Sequence, residues 1–178
     1  MTSVLHTVAT DIVHLNPGEF YFGGGRTQVQ TLLGSCVAIT VWHPDLHIGG
    51  MCHYLLPSRG KNQQLSSGHF ADEAMDLFKE QLRKTGTTAS QYEVKLFGGG
   101  NMFKALGQES NTLNVAKNNV LMGVELLRRN GFAIKAQDVG GDVYRTVYLD
   151  LWSGDAWVRR GISQDIGEVA MQVKGVKT

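Results

Sequence analysis

Two neighbouring apolar segments, separated by turn residues, constrain the fold of this chain more than any other feature of its sequence. Residues 37–42 are uncharged and rich in β-branched side chains, and residues 48–56 are similarly apolar. Between them, residues 43–47 read HPDLH, a sequence typical of a turn. Two strand-like runs joined by a short turn predict a β-hairpin over residues 37–56.

A cysteine and a histidine fall at matching places in this hairpin. Cys36 stands directly before the first strand, and His53 lies within the second. A turn centred between Pro44 and Asp45 would put Cys36 opposite His53, with Cβ atoms about 4.5–5.5 Å apart. An imidazole beside a thiol lowers the thiol pKa and activates it as a nucleophile. Cys52 faces the other side of the strand, so we expect it to be a packed residue.

Both residues also have a purely structural interpretation. Free cysteine is among the most buried residue types, and a histidine in an apolar strand is usually hydrogen-bonded within a core. The turn that precedes Cys36 favours the catalytic interpretation. Its small residues, Gly34 and Ser35, let the main chain approach a ligand, and main-chain N–H groups in such a turn can form an oxyanion hole. Gly34 and Ser35 are therefore the predicted oxyanion and substrate loop.

The remaining pattern predicts a layered α/β fold. Further strands are expected at residues 10–15, 29–33, 92–97, 132–139, 143–151, 156–160 and 169–173, and helices at 69–84 and 114–129. Ser66 or Ser67 is the expected cap of the first helix, and Gly86 is placed to end it. The unit 92–97, 114–129 and 132–139 has βαβ order. We therefore predict an α/β single-domain layered sandwich with a mixed β-sheet core and two main helices.

Composition excludes several classes of function. A chain of 178 residues with 42% hydrophobic residues can form one domain, here residues 1–178, with an ordinary core. The net charge of +1 gives no electrostatic reason to expect nucleic acid or an anionic membrane as a partner. Two cysteines without a C-x-x-C pair do not predict a metal site. Because no secretory signal or spanning segment is recognisable, we expect a cytoplasmic protein.

An ordered set of short motifs resembles one known family. The motifs are LGSCV (33–37), GGMCH (49–53), LP (56–57), GGGNMF (98–103), Asn114 with Asn119-Val120, and DVGG (138–141). They resemble the chemoreceptor glutamine deamidases, the CheD family of bacterial chemotaxis. The resemblance covers residues 16–157 and leaves 161–178 as a C-terminal tail.

The resemblance implies both a fold and an activity. The implied fold is similar to the catalytic domain of cytotoxic necrotizing factor toxins. The implied catalytic set is Cys-His-Thr, which Cys36, His53 and Thr31 would supply. Thr31 stands five residues before Cys36, whereas the family pattern often has its threonine six residues before, where this chain has Gln30. The implied reaction hydrolyses receptor glutamine side chains to glutamate through a thioester and requires no cofactor.

The resemblance also implies partners, and it leaves two other functions open. The partners are the helical bundle of a chemoreceptor cytoplasmic region and, for part of the family, a CheC-type phosphatase. The first alternative is a protein that regulates receptors or the phosphatase by binding alone. The second is a different thiol hydrolase, such as a transglutaminase-like enzyme or a peptidase.

Overall fold

The computed structural model describes residues 9–59, 68–101 and 112–161, and within these ranges it contains nine strands and two α-helices. The strands are β1 Asp11–Leu15, β2 Phe20–Gly24, β3 Thr27–Leu33, β4 Val37–His43, β5 Ile48–Tyr54, β6 Glu93–Gly98, β7 Ile134–Val139, β8 Tyr144–Asp150 and β9 Ala156–Gly161. The helices are α1 Ala71–Thr85 and α2 Thr112–Arg129, with a short 3-10 helix at Ala89–Gln91. No described helix has the length and apolar character needed to cross a membrane.

The strands form two sheets. One has the order β1-β3-β8-β9 and the other β2-β5-β4-β6-β7. Each sheet is mixed, because β1 runs parallel to β3 and β6 runs parallel to β7, whereas the other pairs are antiparallel. The predicted layered α/β class with two main helices is confirmed for the described residues. The prediction of one mixed sheet is wrong, because β1, β3, β8 and β9 separate into a second sheet.

The two sheets pack face to face through alternating side chains. Along β3, Val29, Thr31 and Leu33 are buried, whereas Leu32 is about half exposed. Val29 and Leu33 join Ala38 and other residues of the five-stranded sheet in one apolar cluster. The space between the sheets is therefore one of two cores, and the outer face of the four-stranded sheet is open to solvent.

The helices cover the other face of the five-stranded sheet. α1 buries Ala74, Met75 and Phe78 against that sheet in a second apolar cluster. It ends as predicted at Gly86, whose left-handed backbone (φ 67°) allows its N–H to reach the last carbonyls of the helix. The residue before its first turn is Phe70, whereas the predicted caps Ser66 and Ser67 lie outside the described residues. The predicted strand at 169–173 also lies outside them.

The hairpin forms as predicted, but its register differs. His53 lies opposite Ala38, and Val37 lies opposite Tyr54. The predicted pairing of Cys36 with His53 is therefore wrong by two residues. The loop comprises residues 44–47 and closes at His43, whose carbonyl accepts the N–H of His47 at 2.9 Å. His47 adopts a positive φ of 50°, which moves the centre of the turn one residue further along the chain.

Candidate active site between the two sheets

The predicted nucleophile lies in the segment that carries the chain from one sheet to the other. Residues 34–36, hereafter the nucleophile turn, connect β3 of the four-stranded sheet to β4 of the five-stranded sheet. Cys36 is half-buried and packs against the apolar cluster between the sheets. That cluster also contains Ala38 and Met51, so the Cys36 side chain is on the inter-sheet side of the hairpin.

Burial raises the pKa of the Cys36 thiol above its ordinary value. Its own main-chain N–H and the hydroxyl group of Ser35 act in the opposite direction, because both can donate a hydrogen bond to a thiolate. The neutral thiol is consequently the resting form of Cys36 near neutral pH. Cys52 is fully buried in the core beneath the helices, and burial raises its pKa to about 12. The structure thus confirms that Cys52 is a packed residue.

His53 is almost completely buried, at 1% exposure, and its strand is held firmly at this point. Its main-chain N–H donates to Glu19 O at 3.1 Å, and its carbonyl accepts from Gly18 N–H at 2.7 Å. Both partners belong to the turn before β2. The side chain points to the inter-sheet side, because it reaches Thr31 on β3.

Thr31 fixes the protonation pattern of the His53 ring. Its Oγ1 lies 2.8 Å from Leu15 O and 2.7 Å from His53 Nδ1. A carbonyl oxygen can only accept, so the single hydroxyl proton of Thr31 points at Leu15. Thr31 Oγ1 must then accept from Nδ1–H of His53. This arrangement leaves Nε2 as the basic nitrogen, and Nε2 is buried with no hydrogen-bond partner among the described residues.

The electrostatic environment keeps this imidazole neutral. Burial lowers the pKa of His53 to about 4, and electrostatic repulsion between His53 and His69 acts in the same direction. The Leu15 carbonyl and the carboxylate of Glu19 oppose the shift without overcoming it. A neutral imidazole with a free, desolvated Nε2 is equipped to accept a proton from a thiol.

The corrected register still leaves the thiol and the imidazole on one side of the sheet. Cys36 is two residues before Ala38, which is directly opposite His53. Side chains alternate along a strand, so a shift of two residues preserves the face. The two side chains therefore occupy diagonal positions, whose Cβ atoms are typically about 7 Å apart and within reach of a long side chain.

A glycine loop, residues 98–101, supports the nucleophile turn from the β6 side. Gly99 N–H donates to Cys36 O at 2.7 Å, and Gly100 N–H donates to Gly34 O at 2.8 Å. Gly98 has a φ of 109°, and a Cβ atom there would lie 2.2 Å from Cys36 O. No side chain fits at this position, so the triple glycine allows close main-chain packing beside the turn.

One buried side chain at this site was not assigned a role from sequence. Asn119 of α2 has 0% exposure, and its Nδ2 reaches both Ser35 O at 3.2 Å and Leu55 O at 2.7 Å. The sequence signal was present: an amide in the helix face that also carries the buried Ala116 and Leu127. The role of Leu15 had no such signal, because only its carbonyl takes part.

Comparison with known proteins identifies the family to which this chain belongs. Residues 55–160 match a family model described as CheD, chemotactic sensory transduction. The chain belongs to the CheD family. It is 47% identical over 152 residues to a protein of Pseudomonas fluorescens named probable chemoreceptor glutamine deamidase CheD, covering 85% of this chain and 86% of that one. A CheD 3 protein of Dechloromonas aromatica with the same descriptive name is 44% identical, covering 82% and 85%.

More distant members of the CheD family match over a similar length. A protein of Leptospira interrogans named probable chemoreceptor glutamine deamidase CheD 1 is 38% identical, covering 82% of this chain and 90% of that one. The sequence resemblance to the CheD family is thus confirmed. The family model itself begins after Thr31, Cys36 and His53, so the case for these three residues rests on their geometry.

Proposed function

We propose that this protein hydrolyses glutamine side chains of chemoreceptors to glutamate, with Cys36 as nucleophile, His53 as base and Thr31 as the residue that orients His53. The observation that supports it most directly is the chain of hydrogen bonds from Leu15 O through Thr31 to His53 Nδ1, because it leaves Nε2 basic. The names of the relatives supply the substrate class. The similarity to cytotoxic necrotizing factors remains a prediction.

The first half of the reaction forms a thioester. Nε2 of His53 takes the proton from the Cys36 thiol as Sγ attacks the carboxamide carbon of the glutamine. Negative charge develops on the carboxamide oxygen, where main-chain N–H groups of the nucleophile turn can stabilise it. The C–N bond then breaks, the proton on Nε2 passes to the leaving nitrogen, and ammonia departs.

The second half hydrolyses the thioester and frees the new glutamate side chain from Cys36. Nε2 of His53, neutral again, accepts a proton from a water molecule as the water oxygen attacks the thioester carbon. The C–S bond breaks, the sulfur recovers its proton from His53, and the product carboxyl ionises. Each conversion adds one negative charge to the receptor and consumes one water. Glutamines on an exposed helix face suit an attack from Cys36, since its side chain is half-buried rather than enclosed in the core.

Intact-mass analysis of a receptor cytoplasmic fragment tests this function. We expect the wild-type protein to increase the fragment mass by about 1 Da per site and to release one ammonia for each. Fragment binding without any mass change would instead support a regulator that acts by binding alone. Release of shortened peptides would support a peptidase, and a gain of mass with an added amine would support a transglutaminase-like enzyme. Binding of a CheC-type phosphatase and a cytoplasmic location are further expectations of the same proposal.

Replacing Thr31 by valine tests the orienting role. Valine has nearly the same shape but neither donates nor accepts, so the Nδ1 proton of His53 loses its hydroxyl acceptor and keeps only the Leu15 carbonyl nearby. Losing the orienting partner of a catalytic histidine can reduce kcat by up to about 10⁴-fold when that partner is charged. For the neutral Thr31 we expect a fall in kcat of about 10 to 100-fold with little change in KM.

Thr27 provides the matched control for this variant. It is on the same strand and the same face, it is buried, and its Oγ1 donates to Gly24 O at 3.0 Å. Thr31→Val should cost about 1–3 kcal/mol of unfolding free energy, because it leaves the buried Leu15 carbonyl without its donor, and Thr27→Val about 0.5–1.5 kcal/mol, because Gly24 O is only partly buried. Only Thr31→Val should slow catalysis. Equal activities for the two variants would remove Thr31 from the mechanism.

A further inference from the structure

All three carbonyl groups of the nucleophile turn accept a hydrogen bond. Two of them, at the first and last residue of the turn, are bound by main-chain N–H groups of the glycine loop at 2.8 and 2.7 Å. The middle one, Ser35 O, is bound by the side chain of Asn119, whose Nδ2 is 3.2 Å away. Within the described residues, Asn119 is the one side chain that fixes a peptide group of this turn.

Fixing the Ser35 carbonyl also fixes the N–H of Cys36. The two groups belong to the same planar peptide and point in opposite directions. With Ser35 O directed at α2, the Cys36 N–H is directed away from α2. Among the described residues, this N–H contacts no acceptor except its own sulfur. It is thus available as a donor next to the attacking atom.

Asn119 connects the Ser35–Cys36 peptide to the end of β5, the strand that carries His53. Its Nδ2 also donates to Leu55 O at 2.7 Å, two residues beyond His53. The main-chain carbonyl of Asn119 accepts from the hydroxyl group of Tyr54 at 2.7 Å. The side chain is fully buried, yet its Oδ1 has no partner among the described residues. An apolar residue would avoid the cost of that oxygen but would leave the Ser35 and Leu55 carbonyls without this donor. Asparagine thus holds the Ser35 carbonyl in place even though one of its own buried atoms has no partner.

We infer that Asn119 is a positioning residue that aims the Cys36 N–H at the oxygen on which charge develops during acyl transfer. The inference rests on the proposed function, because it presupposes a tetrahedral oxyanion formed by attack of Cys36. Asn119 does not touch the substrate. It acts through the Ser35–Cys36 peptide, whose carbonyl it also polarises by donating to it.

Two reagents that attack the same thiol separate this role from a general structural one. p-Nitrophenyl acetate acylates Cys36 through a tetrahedral oxyanion, forming a thioester and releasing p-nitrophenol. Iodoacetamide alkylates Cys36 by displacement of iodide at a saturated carbon, with loss of the thiol proton and no oxyanion. We would measure both rates at Cys36 by peptide mass analysis, with Cys36→Ala as the background.

Asn119→Leu is the test variant and Tyr54→Phe is its matched control. Tyr54→Phe removes a buried hydrogen bond to the main chain of Asn119 but leaves the side-chain contact with Ser35 intact. In Asn119→Leu we expect acylation to slow about 10 to 100-fold, because removing an oxyanion donor outright costs about 10²–10³-fold. The alkylation rate of Asn119→Leu should stay within about threefold of wild type. In Tyr54→Phe, the acylation and alkylation rates should both stay within about threefold of wild type.

An equal fall of the acylation and alkylation rates in Asn119→Leu would show that Asn119 acts on the thiol or on His53. An unchanged acylation rate would show that Asn119 does not position the Cys36 N–H. Either result overturns the inference. If Asn119→Leu does not fold, Asn119→Ser, which is too short to reach Ser35 O, makes the same comparison. Neither reagent requires a receptor. Failure of the wild-type protein to change the mass of a receptor fragment would therefore contradict the proposed function. The ratio of the acylation rate to the alkylation rate tests the role of Asn119 independently.

Discussion

Replacing Cys36 by alanine should abolish receptor deamidation, with no mass gain in the fragment above the uncatalysed background. Without Sγ no thioester can form, and removing the nucleophile of a catalytic set typically costs about 10⁶-fold in kcat. The half-buried position of Cys36 means that the deletion removes little packing, so the variant should remain folded. Fragment binding should survive, because one thiol would be a small part of the area that a receptor helix would cover under the proposed function.

Cys52→Ala is the control that makes this result specific. Cys52 is one residue from His53, but its side chain is fully buried in the core beneath the helices, where its pKa is raised to about 12. The variant should lose about 1–2 kcal/mol of unfolding free energy through the cavity that it leaves. Its activity should remain near that of wild type. Persistent deamidation by Cys36→Ala, together with loss of activity in Cys52→Ala, would reverse the assignment of the nucleophile.

Replacing His53 by glutamine should affect catalysis and the pH dependence of stability together. Loss of the base should reduce kcat/KM by about 10³-fold or more. In the wild type, His53 has a pKa of about 4 in the folded state and about 6.5 in the unfolded state. Below pH 6.5 the unfolded chain binds a proton that the folded protein excludes, so the free energy of unfolding falls as the pH falls.

The pKa difference sets the size and the range of this effect. About 3 kcal/mol of stability should be lost between pH 6.5 and pH 4, with little further contribution from His53 below pH 4. Urea unfolding at several pH values would measure it, and His53→Gln should show a correspondingly flatter profile over this interval. A wild-type profile parallel to that of His53→Gln would mean that folding leaves the pKa of His53 near 6.5, which contradicts a desolvated imidazole that stays neutral down to about pH 4.

Local patterns in the sequence were sufficient for most individual elements. The hairpin, α1 with its Gly86 terminus and the parallel β6–α2–β7 unit each follow from alternation, helical periodicity or a turn residue within one short segment. The register of the hairpin did not follow. It depends on the left-handed conformation of His47, which no local pattern distinguishes from a tighter turn at Pro44.

The arrangement of the sheets and the contacts of the site required long-range information. β1 joins β3 although β2 lies between them in the chain, and β2 belongs to the opposite sheet. That division is what brings Thr31 on one sheet within 2.7 Å of His53 on the other. Spacing along the chain could suggest Cys36 and His53, because they share a hairpin. It could not show that Thr31 reaches the ring across the core.

The hydrogen bonds of the site join residues that are far apart in the chain. Thr31 is 16 residues from Leu15 and 22 from His53, and Asn119 is 84 residues from Ser35. These contacts exist only after both sheets have stacked and α2 has docked, events that come late because long loops must close first. Under the proposed function, a chain emerging from the ribosome would therefore carry a thiol that has neither its base nor its oxyanion donor in place. Completion of the fold would then be what prevents an unfinished protein from hydrolysing amides indiscriminately.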